Sequence, residues 1–100
     1  MSPQIPIDRQ AIEQFSRRWK MTVFSLFGSV LGEEFRPDSD IDCLVSFAPE
    51  ARWSLLDLAR MEEELTAMFG RRVDLVEKEA LRNPFRRHAI LTTRDVIYAA

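Results

Sequence analysis

Apolar and polar positions change period several times along the chain, and each change marks an element. Ile12, Phe15 and Trp19 recur at helical spacing after Asp8. A first helix is therefore expected to start after Pro6-Ile7, with Asp8 as its N-cap, and to end near Lys20. Thr22 to Phe27 is a short, nearly continuous apolar run, rich in β-branched and aromatic residues and stopped by Gly28. That pattern predicts a buried strand. Gly28 to Phe35 predicts a tight turn into a two-turn helix. Arg36-Pro37-Asp38-Ser39 predicts a loop, since Pro37 breaks the helix and disfavours helical geometry at Arg36. From Asp40 to Phe47 the period falls to two: Ile41, Cys43, Val45 and Phe47 share one face, and Asp40, Asp42, Leu44 and Ser46 the other.

After a second loop at Ala48-Pro49-Glu50-Ala51-Arg52, the helical period returns. Ser54 caps the longest expected helix, Leu55 to Phe69, with Asp57 as its capping-box partner and Gly70 as its stop. Leu58, Met61, Leu65, Met68 and Phe69 form its expected core stripe, and Trp53 is placed to staple onto Leu58. Val73 to Val76 predicts a third strand. Asn83-Pro84 opens a further helix with cap and first-turn proline in their preferred places, and Val96-Ile97-Tyr98 predicts a short final strand. Strands separated by helical crossovers define an α/β domain.

One hundred residues leave room for one core, so residues 1–100 are expected to form a single domain. Apolar residues make up 46% of the chain and charged residues 30%, an ordinary globular composition. Fourteen basic against sixteen acidic side chains give a formal charge of −2, so no electropositive excess supports direct nucleic-acid binding. One cysteine cannot close an intrachain disulfide, and with one histidine it cannot build a Cys/His zinc site. Met1-Ser2-Pro3-Gln4-Ile5-Pro6 lacks the basic and apolar regions of a signal peptide, and no apolar stretch approaches about 18 residues. The expected compartment is the cytosol, with no membrane partner.

Candidate chemistry lies in three acids. Asp40 and Asp42 share one face near the start of the second strand, with Cα atoms about 7 Å apart. Asp74 interrupts Val73-Asp74-Leu75-Val76, where a purely structural strand favours an apolar or β-branched residue. Carboxylates gathered on one sheet face repel one another and lose hydration, and divalent cations relieve both. Mg²⁺ fits such a site, and two ions can activate an attacking oxygen and stabilise a leaving one in phosphoryl displacement. Gly28-Ser29, at a strand-to-helix junction, would bind phosphate: Gly28 allows a sharp turn and close approach, and Ser29 can cap the helix or donate its hydroxyl. No Gly-Lys-Ser/Thr follows, so this is not a Walker A loop, and Gly28 with Gly32 do not make a Rossmann fingerprint.

Gly28-Ser29, ten intervening residues and then Asp40-Ile41-Asp42 resembles the GS-x10-D-x-D signature of the polymerase-β-like nucleotidyltransferase superfamily. Phe27-Gly28-Ser29 with Asp38-Ser39-Asp40-Ile41-Asp42-Cys43-Leu44-Val45 is similar to its minimal nucleotidyltransferase branch. Val73-Asp74-Leu75-Val76 resembles that branch's third acidic strand, and Asn83-Pro84 through Tyr98 its closing segment. The resemblance covers nearly the whole chain, and four fixed residues at this spacing arise by chance in about one such chain in 600. It implies that family's fold, a small mixed sheet of three to four strands flanked by about four helices. It also implies residue roles: Gly28 and Ser29 holding a nucleotide triphosphate, Asp40 and Asp42 ligating Mg²⁺, and Asp74 completing the metal site and helping to deprotonate an acceptor hydroxyl. The implied reaction is transfer of AMP from ATP, with pyrophosphate leaving.

So small a chain has little surface left to choose an acceptor, which implies a second chain as substrate or specificity subunit. In this family the implied partner is a HEPN ribonuclease toxin, adenylylated on a tyrosine hydroxyl and so neutralised, within a possible hetero-oligomer. Two other readings stay open: neutralisation by non-covalent occlusion, and transfer to a small-molecule hydroxyl. Other residues carry plainer expectations. Arg36, Arg71, Arg72, Arg86 and Arg87 read as solvated surface with contact to phosphates or a partner as the alternative, and His88 as exposed or partner-facing. Cys43 reads as a small buried hydrophobe, Trp19, Trp53 and Phe85 as core or staple, and Glu62-Glu63-Glu64 as the wet face of a helix.

Overall fold

The computed structural model describes residues 5–33 and 35–100; the first four residues of the amino-terminal segment and Glu34 of the expected two-turn helix lie outside them. Its elements run α1 (Arg9–Arg18), β1 (Met21–Phe27), β2 (Ile41–Phe47), α2 (Leu55–Phe69), β3 (Val73–Glu77), α3 (Pro84–Thr93) and β4 (Asp95–Ala99), with 3₁₀ turns at Gly28–Leu31 and Lys78–Ala80. The caps form as their residue types dictate. Asp8 accepts a hydrogen bond from the Ala11 N–H and Asn83 from those of Phe85 and Arg86. Ser54 and Asp57 complete a reciprocal capping box, and Gly70 ends α2 in the left-handed conformation at φ +68°.

The four strands form one mixed sheet in the order β3-β2-β1-β4, with β1 antiparallel to both β2 and β4, and β2 parallel to β3. The expected regular alternation of strands and helical crossovers is thus corrected. Among the described residues α2 and α3 each join parallel strands of the sheet, whereas β1 and β2 are antiparallel neighbours with no α-helix between them, and three α-helices flank the mixed sheet that the resemblance implies. The cause lies after β1: the expected two-turn helix is a single 3₁₀ turn that ends at Gly32 in extended conformation, φ −124° and ψ 176°. Without a helix to carry it across, the chain returns antiparallel.

The sheet's two faces are covered unequally. On one, α1 contributes Ile12 and Phe15 and α2 contributes Met61 and Leu65, packed on Phe24, Leu26, Ile41, Cys43, Val45, Val73 and Ile97. Phe15 meets Phe24 edge to face, with ring centroids 6.4 Å apart. Trp53 stacks edge-on against Trp19 at 5.1 Å, and its indole N–H donates to the Trp19 carbonyl at 3.1 Å. Met68, expected in the α2 stripe, is exposed. The opposite face carries a smaller cluster, Phe27 and Leu44 of the sheet against Leu81 and Ile90. No helix among the described residues is long and apolar enough to cross a membrane.

Candidate nucleotidyl-transfer site

Alternation along β2 and β3 places the acids. Ile41, Cys43 and Val45 point into the larger core, so Asp42 and Leu44 take the other face; on β3, Val73 and Leu75 face the core, and Asp74 and Val76 face away. The parallel register pairs Asp42 with Asp74 and Leu44 with Val76. Leu44 and Val76 lie under α3, while the two acids continue the same face past it, at the amino ends of their strands. Asp42 is half-buried and Asp74 exposed. Asp40 lies one residue ahead of β2, in the exposed approach to the strand.

β1 delivers the glycine turn to the same place, because its antiparallel register sets Phe27 opposite Asp42. Gly28 follows at φ +77°, a conformation that side chains disfavour. A Cβ added there would collide with the Asp42 Oδ2 atom and sit 3.3 Å from Cγ. The turn backbone therefore rests directly on the carboxylate, an approach that only glycine permits. Ser29 sits inside the 3₁₀ turn, whose N-cap position is Phe27 and carries no side-chain cap bond. The expectation that Ser29 caps a helix is corrected. A four-residue 3₁₀ turn also has only a small dipole, so it lends an anion less help than the expected helix.

The electrostatics centre on Asp42. Burial raises its carboxyl above the ordinary range, and the charges of Asp74 and Asp40 raise it further, while the Arg86 guanidinium opposes them. Desolvation and like-charge repulsion are the conditions that a bound cation relieves, and carboxylate oxygens are the donors a hard divalent ion prefers. Among the described residues no three His, Cys, Asp or Glu side chains already close into a cage. The structure thus brings Gly28, Asp42 and Asp74 together and leaves Asp40 at the rim.

The other singled-out residues divide by their partners. Arg71 lies 4.4 Å from the Phe35 ring centroid and donates to the carbonyls of Arg36 and Pro37; Arg87 donates to the Lys78 carbonyl. Arg72 lines a groove along α2 with Glu62 and Glu63. The Arg86 guanidinium is the cation that opposes the acidic neighbours at Asp42. His88 is exposed, and Cys43 is buried with its thiol pushed upward by desolvation. Phe85, expected in a core or staple, is 85% exposed. The run Glu62-Glu63-Glu64 is not simply a wet face: Glu62 accepts the Leu75 N–H of β3, and Glu64 accepts from the Trp19 indole and Arg18.

A sequence profile of the nucleotidyltransferase domain matches residues 8–97, from the cap of α1 through β4. The chain belongs to the nucleotidyltransferase domain family. The protein adenylyltransferase MntA of Thermococcus cleftensis is 36% identical over 86 residues, covering 86% of this chain and 82% of that protein. Among solved structures, a toxin–antitoxin complex with AMP-PNP superposes with a TM-score of 0.75 at 20% identity, over 94% of this chain and 75% of the other. The MNT antitoxin bound to the tri-AMPylated HEPN toxin of Shewanella oneidensis gives 0.66 at 19% identity, over 92% and 70%. These two likenesses establish the nucleotidyltransferase fold for the present chain. Within that fold, the glycine turn and the paired acids stand on one face at one end of the sheet.

Proposed function

We propose that this nucleotidyltransferase is an antitoxin that transfers AMP from ATP to a tyrosine hydroxyl of a HEPN toxin partner. The observation that carries the reading is the seating of the Gly28 backbone on Asp42 beside Asp74. That arrangement gives one half-buried carboxylate, one exposed carboxylate and a side-chain-free turn at a single point. The adenylyltransferase relative and the toxin-bound structural relatives favour the same chemistry. Residues 1–100 act in it as a single domain, in the cytosol.

Gly28 and Ser29 would hold the triphosphate between the turn and the strand ends. The acceptor oxygen attacks the α-phosphorus, forming the O–P bond as the bond to the β-phosphate's bridging oxygen breaks and pyrophosphate leaves. Asp74, exposed on an edge strand, accepts the hydroxyl proton from an incoming side chain. Asp40, Asp42 and Asp74 would hold Mg²⁺, which when bound supplies charge neutralisation for the phosphates. Intact-mass spectrometry of the partner, before and after incubation with the protein, ATP and Mg²⁺, tests this. The expected result is a gain in adenylate steps, lost on adding EDTA or with Asp42→Asn.

A second reading, neutralisation by occlusion, draws on exposed apolar side chains: Leu55 and Phe85 are each 85% exposed and Leu56 is 66%. It predicts a stable complex with an unmodified partner, and full neutralisation by Asp42→Asn at equal abundance.

A further inference from the structure

A glycine turn that carries no lysine faces a charge problem. Gly28-Ser29-Val30-Leu31 supplies backbone N–H groups from a single 3₁₀ turn, beside carboxylates that repel a polyanion. A protein cation on the carboxylate face would add to the charge neutralisation that bound Mg²⁺ supplies to a triphosphate seated there. Arg71 and Arg87 are held by backbone carbonyls, and Arg72 lines the groove along α2 on the other side of β3 from α3.

The placement of α3 selects one arginine. Ile90 packs on Phe27 and Leu44, and Phe27 is the register partner of Asp42. Arg86 lies four residues before Ile90, on the same side of the helix and about 6 Å along its axis. It is exposed, and among the described residues the ion pairs are Glu13–Arg17 and Arg18–Glu64, so its guanidinium is not engaged in either. The first N–H groups of α3 donate to Asn83, leaving the side chain as this turn's means of reaching an anion.

We propose that Arg86 grips the β- and γ-phosphates of the bound nucleoside triphosphate, reaching from α3 across the carboxylate face towards the glycine turn. The proposal rests on the nucleotidyl-transfer reading. It gives the leaving pyrophosphate a fixed cation on the protein, in the forked geometry that guanidinium offers to phosphate oxygens.

The test is calorimetric titration of the full chain with ATP and with inorganic pyrophosphate. Arg86→Ala is expected to weaken both by the same factor, about 10- to 100-fold. Arg86→Lys should fall between that variant and the wild type, and Arg36→Ala should match the wild type. Unchanged thermal midpoints confirm that these exposed positions leave the fold intact. Wild-type affinity in Arg86→Ala, a loss of ATP binding without loss of pyrophosphate binding, or a loss carried by Arg36→Ala instead, overturns the assignment while leaving the transferase reading standing. A wild-type chain that binds no nucleoside triphosphate overturns both.

Discussion

The face of the sheet under α1 and α2 is closed by interlocking aliphatic and aromatic side chains. The face under α3 is covered only along part of its length, by Leu81 and Ile90 on Phe27 and Leu44, and its remainder holds Asp42 and Asp74. The same four strands supply both faces, so the difference arises from alternate residues along each strand. Folding free energy concentrates on the closed face, and groups that cost stability are confined to the open one. Asp42 shows the division most clearly: burial and its acidic neighbours disfavour its charge, yet the strand that carries it is anchored by Ile41 and Cys43 immediately on either side.

The largest separation of the two faces is expected from Asp42→Asn. AMP transfer should fall by about 10³-fold in a mass or radiolabel assay, while the thermal midpoint holds or rises, because a disfavoured charge has gone. A fall in the midpoint would break the comparison. Leu65→Ala should do the reverse, with a loss of about 2–5 kcal/mol in urea denaturation and transfer per folded molecule intact. Gly28→Ala touches both sides: the left-handed conformation and the collision with Asp42 should cost about 1–3 kcal/mol, and transfer should drop as the carboxylate is displaced.

Much of this division was legible in the sequence, because it rests on periods. The two-residue alternation of Ile41, Cys43 and Val45 against Asp42 and Leu44 assigned both faces of β2, and Ser54, Asp57 and Gly70 fixed the ends of α2. What escaped has physical causes. The segment after Gly28 has helix-compatible residues, but its length was set by Gly32 extending, which no period announces. Partners across the chain were equally hidden: Trp53 found Trp19, and Glu64 found both Trp19 and Arg18, contacts between residues 34 to 46 positions apart. Arg86 looked like any surface arginine until α3 was laid on the carboxylate face. The candidate acids themselves were visible because an aspartate inside a strand conflicts with its surroundings, and such conflicts mark places where folding yields to chemistry.

Smaller effects sharpen the contrast further. Ser54→Ala should lower stability by about 1 kcal/mol through its lost cap, with no change in transfer. The smallest effect is in the pH profile, where two aspartates should act with opposite signs. Asp42 is held above its ordinary value, so its contribution to stability declines as pH rises through that value towards the raised folded one. Asp57 is held below by hydrogen bonds from Ser54, so its contribution is present at neutral pH and fades as pH falls through the lowered folded value. Thermal midpoints from pH 3 to about 6, compared among wild type, Asp42→Asn and Asp57→Asn, should show the two slopes cancelled separately.

The bond from the Leu75 N–H to Glu62 has a consequence for how another molecule can approach. β3 is an outer strand, and an outer strand with open N–H groups is a template on which foreign chains add themselves. Glu62 occupies one of those groups from the side, at the residue immediately after Asp74. The rim of the sheet that bears Asp74 is thereby a wall rather than a seam: a visitor is steered to meet it with a protruding side chain, and the carboxylate stays clear of the strand-on-strand growth that would entomb it.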